Sequence, residues 1–223
     1  MPIVPAPDEP RQSDRAAGFA ILAGLLLSLA FMAGHPIPRS HSRTEFVAEV
    51  THLALSNSVV HGSLIACVGV LVAGYSGLAY RLGLASLVVR AGLVAYAIGA
   101  AGWVAAGLLN GFILPAFVTQ YAGRPPGDLD AMRHIQSVGR EANQASSRMA
   151  VLAVSVAVAC WSLALGRRGF LATAVVGSIA AVLPASAVLT GHLAMDVHGM
   201  WMFLVCQVVW GGFIASLLIR GRV

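Results

Sequence analysis

Six stretches of predominantly apolar residues, roughly 17–35, 58–80, 85–119, 147–166, 169–191 and 197–219, dominate this chain. A helix that crosses a membrane needs about 20 such residues, since 1.5 Å of rise per residue must span a hydrocarbon layer about 30 Å thick. Lipid offers no water to backbone N–H and C=O groups, so only helices and closed barrels cross it. No ten-residue alternating pattern recurs here, which removes the barrel. The chain therefore reads as all-α, an integral membrane bundle of six helices. Charge density agrees: 10% of its 223 residues are charged, against about 25% in a soluble domain.

Residues 1–17 are polar, contain proline and carry mixed charge, and read as a flexible tail ahead of a single transmembrane domain over 18–223. The apolar run that follows has the look of a signal-peptide core but lacks an A-x-A cleavage site, so it is expected to stay as the first helix. The third stretch is long, and Pro115 near its end is expected to bend it. Two connections, 36–57 and 120–146, are longer than the rest. Both contain proline-free runs able to extend the neighbouring helices and to cap one face of the bundle.

Six crossings put both termini on one side. That side carries eight of the fourteen arginines (Arg11, Arg15, Arg81, Arg90, Arg167, Arg168, Arg220 and Arg222), and the opposite side carries the other six. The excess favours cytoplasmic termini in a bacterial inner membrane, with the long connections in the periplasm. The arginines are too dispersed to track a phosphate backbone, which excludes nucleic acid as a partner. Cys67, Cys160 and Cys206 form no CxxC or CxxH pair, so thiol redox chemistry and c-type haem attachment find no support.

All seven histidines fall on the far side from the termini. His35 and His192 each close an apolar segment after a glycine; His61 and His198 each open one inside Val-His-Gly. Aligning 60–74 with 197–211 also retains a later glycine, so helices 1–2 and 5–6 read as a pseudo-repeat. Parallel repeats of this kind are related by an axis along the membrane normal. The repeat would gather His35, His61, His192 and His198 in one layer.

Imidazole is the commonest side-chain metal ligand. Met195 and Asp196 flank the last pair, and imidazole with thioether suits copper, Cu(I) above all. The first expectation is a transition-metal site, copper favoured, used in redox chemistry or metal handling. His61 and His198 as axial ligands of a b-type haem are the alternative, with quinone as the electron partner. A non-enzymatic transporter, or an accessory subunit of a larger membrane complex, is the third class. His41, His52 and His134 lie in the connections and read first as plain surface residues, with His52 and His134 able to complete the ligand set and His41 the weakest candidate. Asn110 reads as inter-helix glue or a contact for a polar ligand, and Arg148 as an interfacial side chain or a partner for a carboxylate.

Three enzyme classes drop out. Ser76 sits in a GxSG stretch but lies fifteen residues beyond His61 on one helix, about 22 Å at 1.5 Å per residue, too far for a base to reach it. There is no HExxH, nor the paired histidine boxes of membrane desaturases. No catalytic residue is assigned.

Overall fold

The computed structural model describes residues 9–37, 42–125 and 127–223. Every regular element among them is helical: α1 (Glu9–Ala33), α2 (Arg43–Leu82), α3 (Leu87–Leu108), a π-helical turn (Leu109–Ile113), α4 (Leu114–Thr119), α5 (Asp128–Arg167), α6 (Leu171–Leu189) and α7 (Val197–Ile219). Among the described residues six helices are long and apolar enough to cross a membrane, with α3, the π turn and α4 counting as one rod, Leu87–Thr119. The protein is a multi-pass helical membrane protein.

Each crossing packs on the next in sequence, and α7 returns to α1, so the six close into a ring. Small residues set the approach. A Cβ on Gly74 would meet Ile21 Cγ1 at 2.7 Å, one on Gly99 would meet Val154 Cγ2 at 2.6 Å, and one on Gly18 would meet Ile219 Cγ1 at 2.8 Å. Glycine at these places lets neighbouring helices touch, as membrane bundles require where lipid tails are as apolar as the interface. The outer faces stay apolar: α6 exposes Leu171, Val175, Ile179, Val182 and Leu189, a stripe suited to acyl chains.

The expected tail is helical from Glu9 onward; residues 1–8 lie outside the described part. Its polarity has a partner. Asp14, only 4% exposed, pairs with Arg81 Nε of α2 at 3.1 Å. Arg81 also donates to the carbonyl of Val223 at 2.6 Å. Arg168 donates to the carbonyls of Arg81 and Leu82 at 3.2 and 2.9 Å, supplying donors to the last turn of α2.

At the opposite face both long connections are largely helical. Ser42 opens α2 with a capping box: its hydroxyl accepts from Glu45 N at 3.3 Å and its N–H donates to Glu45 Oε2 at 3.4 Å, satisfying two groups at the helix start. α5 runs for 40 residues, about 60 Å at 1.5 Å per residue, twice the hydrocarbon thickness. The surplus turns of α2 and α5 meet α4 in a small separate core of Val47, Val118, Leu129 and Met132. That core braces the far face above the ring.

Candidate functional site

The π turn has a cause in the sequence. Leu114 N–H bonds to Leu109 O, five residues back. In that register the next donor, residue 115, would serve Asn110 O; in the α register it would serve Gly111 O. Residue 115 is proline and has no N–H, so neither carbonyl can draw on it, and the π register has already turned Leu114 N–H away from Asn110 O. α2 supplies donors to both: Asn57 Nδ2 donates to Asn110 O at 2.8 Å and Ser58 Oγ to Gly111 O at 2.9 Å. At Pro115, where a bend was expected, the rod carries a widened turn tied to α2.

His61 is built into the same junction. It is 6% exposed, with Nδ1 at 2.9 Å from Asn57 O and Nε2 at 3.3 Å from Asn110 Nδ2. Nδ1–H donating to the Asn57 carbonyl leaves Nε2 to accept from the amide, which fixes one neutral tautomer by its partners. Gly111 makes the contact possible, because a Cβ there would lie 2.2 Å from His61 Cβ. The His35 ring meets His61 edge to face with centroids 5.0 Å apart. Burial, and then His61 beside it, hold the His35 imidazole below its ordinary pKa, which favours its neutral form.

This pair lies on the wall of a cavity of about 570 Å³ enclosed by the helix ring. Ile37, Arg140 and Asp196, all exposed, line its mouth at the far face. The walls below are chiefly apolar, from Leu25, Ile65, Val68, Trp103, Phe203 and Leu204. His61 and Tyr75 both line it, and a separation of fourteen positions on α2 spans about 21 Å. Asn110 and Tyr96 repeat that separation on the facing rod. The bottom is closed by stacked rings: Tyr75 lies 5.5 Å from Trp161 and 5.6 Å from Trp210, centroid to centroid, and 4.7 Å from Tyr96.

Of the expected ligand set, His35, His61, Met195 and Asp196 line this cavity, together with Met32 and Met200. Met195 is placed by Gln144, whose amide brackets its backbone: Nε2 donates to Met195 O at 2.9 Å and Oε1 accepts from Met195 N at 3.0 Å. Asp196 accepts from Gly199 N at 2.9 Å and so caps α7. His192 and His198 are exposed and lie off the cavity wall. His192 bonds to Thr190 of its own turn at 2.9 Å.

The two Val-His-Gly stretches thus sit differently, one deep inside α2 and one on the first turn of α7. The glycine after His198 answers a steric need, since a Cβ on Gly199 would lie 1.9 Å from the Ala194 carbonyl oxygen. Among the described residues no group of three or more His, Cys, Asp or Glu side chains is gathered as a metal cage. His52 and His134 are exposed on α2 and α5, Arg148 is exposed and off the wall, and His41 lies outside the described residues.

Asn57, Ser58, Gln144, Tyr75 and Gln207 were not singled out as site residues from the sequence. Pro115 close behind Asn110 was the available signal for the first two. Nothing local marks the others, because their roles depend on which helices face each other. Comparison with family models, with curated proteins and with solved structures finds no match for this chain.

Proposed function

We propose that this protein binds a lipid-soluble amphiphile, with an elongated apolar body inside the helix ring and a polar head at the His35–His61–Asn110 layer. One observation carries the reading: a single cavity runs from that layer to Tyr75, about 21 Å by helix rise, between walls that are chiefly apolar. Its volume falls within the range of about 300–1,000 Å³ typical of small-molecule sites, which also combine apolar walls with a few fixed polar groups. A metal ion alone needs no such length of apolar wall. The arginine excess on the termini face supports cytoplasmic termini, so the cavity would open on the periplasmic side of a bacterial inner membrane.

The test is equilibrium titration with a polarity-sensitive fluorescent fatty acid in lipid nanodiscs. Saturable binding is expected, weakened about tenfold in His61→Leu, the size of one or two hydrogen bonds to the head. Non-saturable partitioning that is equal in both proteins would overturn the reading.

A second reading rests on the donors sharing that cavity. Two imidazoles with thioethers from Met32, Met195 or Met200 would suit a Cu(I)-type ion. Electrons would then pass to or from a lipid-soluble partner such as quinone held in the same space. Stoichiometric copper lost in His61→Ala would support this reading, and metal-free protein after gentle purification would count against it. An absorption spectrum of the same sample tests haem b, since a Soret band lost in His61→Ala is its signature.

A further inference from the structure

Two hydrogen-bonding side chains at the bottom of the cavity have no partner. Gln207 of α7 is 4% exposed and its Nε2 makes no hydrogen bond; Tyr75 of α2 is 1% exposed and its hydroxyl is likewise unmatched. Both line the cavity. They meet α7 near one level: Gly211 follows Gln207 by about one helical turn, and a Cβ there would lie 3.1 Å from the Tyr75 hydroxyl. The glycine lets the phenol come up against α7 one turn from Gln207. Buried polar groups are normally matched, and two unmatched ones on residues that line one cavity call for an occupant that supplies the missing partner.

We infer that this floor is a second polar subsite, built for a neutral hydroxyl or carbonyl oxygen on the buried end of the ligand. The inference rests on the amphiphile-binding reading and deepens it. The chemistry follows from the donors: the amide N–H and the phenol O–H can each donate to a neutral oxygen, and the phenol can accept in return. Residues lining the cavity near the floor include Leu71, Tyr96, Ala100, Val154 and Leu204, none of them cationic. A carboxylate or phosphate there would be a buried charge without a counter-ion, so the oxygen must be neutral. Trp161 and Trp210 stack at Tyr75 and hold the phenol in place. The ligand class is an elongated amphiphile with its head at the histidine layer and a neutral oxygen about 20 Å away.

An all-trans chain of C–C bonds near 1.5 Å covers that length in about sixteen carbons. The experiment compares a saturated fatty acid of about that length with its ω-hydroxylated counterpart. Each displaces the fluorescent fatty acid from full-length protein in nanodiscs. The wild type is expected to prefer the ω-hydroxyl chain by about tenfold. Tyr75→Phe and Gln207→Met remove the polar atoms at nearly constant volume and should bring that preference close to one. Equal displacement by both chains in the wild type would overturn the inference, leaving the floor to water. A preference that survives in both variants would also overturn it. Failure of both chains to displace the probe would instead sink the amphiphile reading itself. The wild-type comparison stands even if a variant fails to fold.

Discussion

At Gly111 one missing methyl decides how α2 and the π turn meet. A Cβ would collide with His61 Cβ at 2.2 Å, and both atoms sit on helices held by the Asn57 and Ser58 bonds. Neither side has a flexible end that can yield. Gly111→Ala is expected to lower stability by about 1–3 kcal/mol, the usual cost of overpacking, read as a drop in thermal melting temperature. His35 sets a pH dependence of defined sign. Its folded pKa lies below the ordinary 6.5, through burial and the neighbouring His61. An imidazole of this kind binds its proton more readily once unfolded, so its contribution to stability is present above 6.5 and is lost as pH falls through the lower folded value. Thermal melts between pH 8 and 5 should therefore fall more steeply below 6.5 in the wild type than in His35→Gln. Equal slopes would remove His35 from the account.

The elements show what was legible in the sequence and what was not. Six crossings follow from the length and apolarity of the segments, because lipid leaves the backbone no alternative. The helical extensions above the membrane follow from proline-free runs; the capping box at Ser42 came to light in the structure. The layer of four histidines joined by the pseudo-repeat was a different kind of inference. His61 and His198 do stand equally far from the termini-face ends of their helices, Leu82 and Ile219, but His61 is buried on the cavity wall and His198 is exposed off it. A short motif carries no information about which way its residue faces in the bundle. The π turn is legible only in part: Pro115 announces that one carbonyl loses its donor, but not that the turn will widen or that α2 will supply replacements. That exchange can be tested by a double-mutant cycle. Asn57→Ala alone leaves a carbonyl unmatched and is expected to cost about 1–3 kcal/mol. In a Pro115→Ala background the backbone can serve that carbonyl again, and the cost should shrink by about half or more. Additive costs would mean the proline and the asparagine are not linked.

At the scale of the whole molecule, a ring of six helices encloses a cavity only if something keeps its centre from collapsing. Aromatic rings from α2, α3, α5 and α7 fill the lower third, and the polar clasp of Asp14, Arg81 and Arg168 ties the termini face below them. Above, the small core of Val47, Val118, Leu129 and Met132 holds the helix extensions together. The space between these two braces is long, chiefly apolar and polar at both ends. Occupancy of that space is the central claim, and native mass spectrometry of protein released gently from lipid reads it directly. Wild type is compared with Ala100→Phe, which adds a ring one turn from Tyr96 on the cavity wall. The account predicts a discrete amphiphile bound at one per chain in the wild type and lost in a variant that still folds. Only bulk lipid, in the same amounts on both proteins, would contradict it.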